Sequence, residues 1–278
     1  GVFLVLDRYV SRTAALVGAL TVGLLAHQPA FYVNWGRFTQ LSSQTIFLMA
    51  WVAAVEAIRG PLPWRAGDRR WAIAAEWLLA GLLTAAVFML HFRVAAFYLL
   101  LLGPTVMYLG WRAWRSGQLG SMALATAGVG VVALLLVSPL LWSTLSKYIG
   151  LHIALAQSNP LSQAQMNDLE AHYFVFGFDV FPYLVARPWL LWIGAISAAI
   201  GLLRRNWIAW LCLVWVALLM LLGNAYLLPF RWLEITNLGA VLIMLYAPLA
   251  LVVGVAVEEV LRLLPLRLAS PLRRASPW

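Results

Sequence analysis

Eight apolar stretches of 17 to 23 residues divide this chain, and short polar segments separate them. A helix needs about 20 apolar residues to cross the hydrocarbon core of a bilayer. The pattern therefore predicts an all-α, polytopic integral membrane protein with about eight full transmembrane helices. The predicted spans are 12–28, 41–58, 71–90, 95–111, 119–141, 186–203, 207–223 and 238–258. We expect residues 1–278 to form a single transmembrane domain.

The chain opens with a short apolar segment, residues 1–6, that has neither a Met nor the layout of a signal peptide. Six apolar residues are too few to cross a bilayer. We therefore expect this segment to be the end of a ninth helix, truncated at its N-terminus. The sequence is then expected to be a fragment that lacks the N-terminal spans of a longer protein.

The composition supports the membrane class and excludes two others. Hydrophobic residues make up 64% of the chain and charged residues only 10%. A soluble domain carries about 25% charged residues because its surface faces water, so the bilayer is the expected main solvent. The net charge of +9 does not indicate nucleic-acid binding. The arginines occupy short breaks between apolar runs, whereas a nucleic-acid site needs a continuous basic face.

The basic residues predict an orientation in the cell membrane. If successive segments between spans are assigned to alternate sides of the membrane, fourteen Lys and Arg residues lie on one side and five on the other. The side richer in Lys and Arg is normally cytoplasmic. The C-terminus is therefore predicted to be cytoplasmic and residues 142–185 to form a long outer loop. The five residues assigned to the outside are Arg37, Arg93, Lys147, Arg187 and Arg231.

The long outer loop is expected to contain interfacial helices. Apolar residues recur at helical spacing over residues 145–155, as in a helix that lies along the membrane surface. A second helix is expected to start at Asn159-Pro160, because Asn caps helices and Pro suits their first position.

The outer segment from Phe31 to Gln40 contains the most distinctive candidate binding residues. Arg37 suits a phosphate ligand because its guanidinium can form two parallel hydrogen bonds. Gln40 lies three residues further on, near the same face of a helix. Tyr32 and Trp35 add aromatic surface. The alternative is an interfacial belt in which the rings and the arginine meet lipid headgroups.

Two further outer segments contain candidate binding residues. His91 and Arg93 flank a very short outer turn and are candidates for a shared anionic ligand with Arg37. They could equally extend to the headgroups as membrane anchors. Arg231 is the last candidate, although its spacing from Glu234 is also that of a surface ion pair.

Acidic residues give candidates for catalysis but no metal site. Asp168, Glu170 and His172 form D-x-E-x-H in the long outer loop, which suits a general base or a metal ligand. This spacing matches no specific metal motif, and solvated loop acids are common. Glu56 and Glu76 lie near the predicted cytoplasmic ends of their spans. Their simplest interpretation is that they reach Arg59, or Arg69 and Arg70.

The segments AFYVNWGRFTQLSSQTIFLMA and HFRVAAF resemble the large multi-spanning bacterial and archaeal proteins related to the GT-C glycosyltransferases. The resemblance covers residues 29–100. It implies sugar transfer at the outer leaflet from a polyprenyl-phosphate donor. Arginine side chains would hold the phosphate of that donor. It also implies a carboxylate in the first outer loop, acting as general base or ligand of a divalent metal. We expect the sequence to begin after that loop, and no other cofactor is evident.

Three functions are therefore compatible with the sequence. The first is a GT-C-like glycosyltransferase, with Arg37, Arg93 and Arg231 at the donor phosphate and His91 and Gln40 orienting the donor. The second is a transporter or flippase for a lipid-linked or anionic solute. The third is a non-catalytic membrane scaffold. No nucleotide-binding loop, nucleophile elbow or zinc spacing occurs in the sequence, which argues against ATPases and soluble cofactor enzymes.

Overall fold

The computed structural model describes residues 1–25, 38–59, 69–158, 189–224, 236 and 238–263, and these residues contain helices and no strand. A π-helical turn, Thr21–Leu25, follows the second helix. The α-helices are α1 Val2–Tyr9, α2 Arg12–Leu20, α3 Phe38–Arg59, α4 Arg69–Leu90, α5 Phe92–Arg115, α6 Leu119–Ser158, α7 Trp189–Leu203, α8 Trp207–Gly223, α9 Leu238–Met244 and α10 Tyr246–Leu263. The all-α class expected from the sequence is confirmed for these residues.

Several helices have the length and composition of membrane spans. Within the described residues, five are long and apolar enough to cross a bilayer: Phe38–Arg59, Trp71–Leu90, Phe92–Arg115, Leu119–Ser143 and Leu238–Leu263. Three shorter apolar helices occur at Arg12–Leu24, Trp189–Leu203 and Trp207–Gly223. All eight coincide with predicted spans. The membrane character is thereby confirmed, whereas the count of about eight full spans stays a prediction.

Local sequence signals explain several helix boundaries. Ser11 caps α2 by accepting a 3.1 Å hydrogen bond from the main-chain N–H of Ala14. Asn206 caps α8 in the same way, with a 3.0 Å bond from the N–H of Ile208. The tight turn between α5 and α6 contains Gly117 at φ +71°, where a side chain would strain the backbone. The side chains of Ser11 and Asn206 thus satisfy N–H groups that the first helical turn leaves without partners.

Helix α6 is longer than the sequence pattern indicates. The sequence predicts a span that ends at 141 and a separate interfacial helix, whereas α6 continues to Ser158. Pro139 lies inside this helix and cannot donate to the carbonyl of Leu135, four residues earlier. The Ser138 hydroxyl donates to that carbonyl at 2.9 Å and replaces the lost bond. A serine next to the proline therefore helps the helix to continue.

The buried core contains large aromatic side chains from α3, α5 and α8. Trp51, Trp215, Tyr98, Phe47 and Phe97 are its largest fully buried members. The Trp215 indole N–H donates a 3.0 Å bond to the carbonyl of Phe97, and the Trp51 indole donates to Thr105 Oγ1, also at 3.0 Å. Hydrogen bonds and close packing replace the hydrophobic effect as the cause of helix association in lipid.

Among the five long helices, Leu238–Leu263 is the most buried and Leu119–Ser143 the least. The exposed apolar residues of α6 include Val131, Leu134, Leu135 and Trp142. An apolar exposed face of this kind suits contact with lipid. The C-terminal helices therefore lie inside the bundle and α6 lies at its periphery.

Candidate functional site

Three of the predicted substrate-binding residues are described by the structure, namely Gln40, His91 and Arg93. The remaining site predictions fall outside the described residues. These are the binding residues Tyr32, Trp35, Arg37 and Arg231 and the catalytic candidates Asp168, Glu170 and His172.

The first turns of α3 place polar side chains inside the bundle. Gln40, Ser43 and Gln44 are each at most 2% exposed. The Ser43 hydroxyl donates a 3.0 Å hydrogen bond to the carbonyl of Val87 in α4. Buried polar groups are costly in a membrane protein unless they find partners, and they mark functional positions. This buried polar face is the clearest candidate for a binding surface.

The contact between Ser43 and Val87 sets the register of α3 and α4. Gln40 lies one turn before Ser43, and His91 lies one turn after Val87. Since the two helices run in opposite directions, these turns point toward the same end of the bundle. Gln40 and His91 therefore lie at the same level, although 51 positions separate them in the sequence.

His91 and Arg93 lie at the start of α5, with the ring of Phe92 beside both. His91 is the residue that precedes the helix, and its ring stacks on that of Phe92 at 5.7 Å between centroids. The Arg93 guanidinium lies over the same ring, 5.6 Å from its centroid. The ring holds the arginine by its face and leaves the in-plane N–H donors available.

Two buried donors at this end have no hydrogen-bond partner within the described part of the chain. They are Arg93 Nε and Gln44 Nε2. The side-chain carbonyl of Gln44 does have a partner, because the Tyr246 hydroxyl donates to it at 3.2 Å. Buried donors in native structures normally meet an acceptor. We call the set Gln40, Ser43, Gln44, His91 and Arg93 the polar end of the bundle.

The opposite end is rich in arginine. Glu56 forms an ion pair with Arg8 and accepts a 2.8 Å hydrogen bond from the Tyr9 hydroxyl. Arg59, the partner expected from the sequence, instead lies over the Tyr9 ring at 5.7 Å. Burial and the nearby Glu56 carboxylate raise the pKa of the Tyr9 hydroxyl, which keeps it protonated as a donor. The ion pair of Glu56 is with Arg8, which α1 brings against α3, while the nearby charge of Arg59 also acts on the carboxylate.

Two further acids at this end were missed from the sequence. Glu258 accepts a 2.5 Å bond from the Ser11 hydroxyl. Glu259 is 4% exposed and accepts from Arg204 Nε at 3.4 Å and Asn206 Nδ2 at 3.2 Å. Arg262 bonds both carboxylates. The spacing from Glu258 to Arg262 is that of a helical ion pair and could have revealed the first of them.

We call the set Arg8, Arg59, Arg112, Arg204 and Arg262 the arginine end. An aromatic stack links its members, because Trp207 packs on Tyr108 at 5.9 Å and on Trp51 at 6.1 Å. Arg112 in turn lies over the Tyr108 ring. Residues from α1, α3, α5 and α10 and from the turn after α7 therefore meet at one end, and the polar end lies at the other ends of α3 and α5.

Metal ligands do not cluster within the described ranges. No group of three or more His, Cys, Asp or Glu side chains there is placed to hold an ion. The acids of the arginine end are bonded to arginines, an amide and hydroxyls. The chemistry of the polar end is that of amide, hydroxyl, imidazole and guanidinium groups, which suits an anionic or hydroxyl-rich ligand.

Comparisons with protein-family models, curated proteins and solved structures give no match. The resemblance to the GT-C glycosyltransferases therefore depends on residues 29–100 of the sequence, which include Gln40, His91 and Arg93.

Proposed function

We propose that this protein is a membrane glycosyltransferase of the GT-C type that uses a polyprenyl-phosphate-linked sugar at the outer leaflet. The observation that carries the proposal is the buried polar end, where Gln40, Gln44 and Arg93 offer amide and guanidinium groups beside His91. These are the groups that recognise a phosphate or a sugar hydroxyl.

The proposed orientation puts the polar end outside and the arginine end in the cytoplasm. Arg93 and Arg112 lie nineteen residues apart in α5, which corresponds to about 28 Å along a helix. This length matches the hydrocarbon core of a bilayer, roughly 30 Å. A guanidinium at each end of one helix is then at headgroup level on both sides, and the excess of arginine follows the positive-inside rule.

The proposal includes eight full spans. The three shorter apolar helices adjoin segments outside the described residues, and the sequence predicts that spans 12–28 and 186–203 extend into those segments. Added residues there would bring both helices to a length that crosses the bilayer. The Trp207–Gly223 helix is already 17 residues long, at the lower limit of a span.

In the proposed reaction an acceptor hydroxyl attacks the anomeric carbon of the donor sugar. A new carbon–oxygen bond forms to the acceptor, and the bond between the anomeric carbon and the phosphate oxygen breaks. The acceptor proton passes to a general base, for which the resemblance implies a carboxylate of the first outer loop. Polyprenyl phosphate leaves with an added negative charge. Arg93, together with Arg37, which lies three residues before Gln40, would stabilise that charge as it develops.

The experiment measures binding of a short-chain polyprenyl phosphate to the full-length protein in nanodiscs, with the matching polyprenol as the uncharged ligand. We expect the phosphate to bind more tightly than the alcohol. Arg93→Ala should weaken phosphate binding by about tenfold or more, since charge-assisted bonds contribute roughly 1.5–3 kcal/mol each. Arg12→Ala is the matched control and should leave binding unchanged, because Arg12 is exposed and lies in α2, outside the polar end.

Release of polyprenyl phosphate from a polyprenyl-phosphate hexose then tests the transfer itself. Binding without release in the presence of acceptor sugars or lipids would favour the transporter over the enzyme. If the protein binds the phosphate and the alcohol equally and Arg93→Ala has no effect, both the glycosyltransferase and the transporter are rejected. The non-catalytic membrane scaffold is then the remaining function.

A further inference from the structure

A pocket that contains two arginines lies at the C-terminal end of α5. Tyr108, Trp111, Arg112 and Arg115 follow the spacing i, i+3, i+4 and i+7, which places them on one helix face. Together with Ser116 they line an open pocket of about 340 Å³. The pocket is distinct from the polar end, because α5 separates the two by nearly its whole length.

Each guanidinium in this pocket lies over an aromatic ring. Arg112 is 5.9 Å from the Tyr108 ring centroid, and Arg115 is 5.2 Å from that of Trp111. A stacked guanidinium uses its face and keeps its N–H donors in the plane, free for a planar or tetrahedral oxyanion. The rings therefore position the two arginines without consuming their donors.

The charge of these two arginines is not neutralised by any described side chain. The carboxylates of Glu56, Glu258 and Glu259 are bonded to other arginines at the same end of the bundle. Neither Arg112 nor Arg115 forms an ion pair within the described ranges. Two adjacent positive charges with available donors attract an anion, and the paired geometry of guanidinium favours phosphate over a point charge.

The neighbouring tryptophans indicate the depth of the pocket in the membrane. Trp111 is 50% exposed and Trp114 is 68% exposed. Exposed tryptophans near the end of a span are typical of the headgroup level. The pocket is therefore expected where lipid phosphates lie, and where soluble phosphates also have access.

We propose that Arg112 and Arg115 bind a phosphate group, with Tyr108 and Trp111 as the walls of the site. The phosphate can belong to the headgroup of an acidic phospholipid or to a soluble phosphate. This inference does not depend on the proposed glycosyltransferase activity, since the two sites lie at opposite ends of the bundle.

The test uses the full-length protein in two arms. In the first, native mass spectrometry counts phosphatidic acid molecules retained against phosphatidylcholine in detergent. In the second, calorimetry measures binding of inorganic phosphate. The variants are the double substitution Arg112→Gln with Arg115→Gln, the corresponding double Lys variant, and the control Arg12→Gln. Arg12 is an exposed arginine outside the pocket. A monodisperse elution profile shows that each variant is folded.

We expect wild type and Arg12→Gln to bind phosphate equally in at least one arm. The double Gln variant should bind it about tenfold more weakly or worse, and the double Lys variant should fall between them. Binding confined to the phosphatidic acid arm identifies a lipid headgroup, and binding to inorganic phosphate identifies a soluble ligand. Equal binding by wild type and both double variants, or an equal loss in Arg12→Gln, would overturn the site.

Discussion

The indole ring of Trp77 in α4 lies directly against Gly128 in α6. A Cβ added at position 128 would approach Trp77 Cζ3 at 2.8 Å and Cδ2 at 2.9 Å, closer than carbon atoms pack. Gly130, two residues later in the same helix, has no atom within 4 Å of such a Cβ. The missing side chain at 128 is therefore what allows α4 and α6 to approach.

Gly128→Ala is expected to destabilise the protein and Gly130→Ala is not. Overpacking against a ring typically costs about 1–3 kcal/mol, whereas an unhindered alanine in a helix is favourable by roughly 0.5–1 kcal/mol. Thermal unfolding of the purified variants in detergent measures both effects. A Gly128→Ala variant as stable as Gly130→Ala would contradict the close packing of α4 on α6.

Glu56 in α3 and Glu76 in α4 provide a second matched pair of substitution sites. Glu56 bonds Arg8 and Tyr9, whereas Glu76 is exposed and has no ion pair among the described side chains. Glu56→Gln should lower the free energy of unfolding by about 1 kcal/mol, a modest value because the pair is partly exposed. Glu76→Gln should not lower it.

Chemical or thermal unfolding in the same detergent measures the difference between Glu56→Gln and Glu76→Gln. An equal effect of both substitutions would show that the contact of α1 with α3 contributes nothing to stability. Arg8→Gln is the complementary variant, and it should reproduce most of the loss seen for Glu56→Gln because it removes the same pair.

The helices were predictable from the sequence because apolar length is a local property. The segment Gly128-Val129-Gly130 shows where local information ends. Both glycines adjoin Val129 and lie among apolar residues, and it is the position of Trp77 that distinguishes them. Glu56 is similar, since its partner Arg8 is 48 positions away and Arg59 is three. Contacts between helices depend on how each helix is rotated relative to its neighbours. The spacing of residues along one helix does not determine that rotation.

The polar end was predictable in part. Gln40 was identified from its spacing to Arg37, and the same helical spacing continues through Ser43 and Gln44, which were missed. Tyr246 was beyond sequence reasoning because it reaches Gln44 across 202 positions. The span was predicted to end at 141, whereas α6 continues past it, and the carbonyl that Pro139 leaves unbonded is satisfied by the adjacent Ser138.

The orientation of the helices can be tested at the two ends of α6. Ser116, in the turn before α6, belongs to the arginine end, and Ser158 is the last residue of the helix. We expect Ser158→Cys to react with a membrane-impermeant maleimide in intact cells and Ser116→Cys to react only in inside-out vesicles. Cys212→Ala is the background, and Cys212 itself is buried and expected to be unreactive.

Reaction of Ser116→Cys in intact cells, with Ser158→Cys protected, would reverse the assignment of the two ends. The Cys212→Ala parent must remain unlabelled in both preparations. Such a reversal would also move the polar end to the cytoplasm and remove the outer-leaflet donor from the proposed function.

Arg37 is expected to bind the donor phosphate through the geometry of its guanidinium and not only through its charge. It precedes α3, close in sequence to Gln40 of the polar end. Lysine keeps the charge but loses the paired planar hydrogen bonds. Arg37→Lys should therefore weaken binding of a polyprenyl-phosphate analogue about ten- to a hundredfold, and Arg37→Ala should weaken it further.

A headgroup anchor would behave differently, because a lysine at the same position extends to the lipid phosphates equally well. Binding is measured with the full-length protein in nanodiscs, and Arg12→Lys controls for the loss of an exposed arginine outside both proposed sites. Arg37→Lys and Arg12→Lys should then differ by at least tenfold in affinity. Equal affinity of wild type, Arg37→Lys and Arg37→Ala, at equal expression, would identify Arg37 as an anchor and leave Arg93 as the donor-binding arginine to be tested.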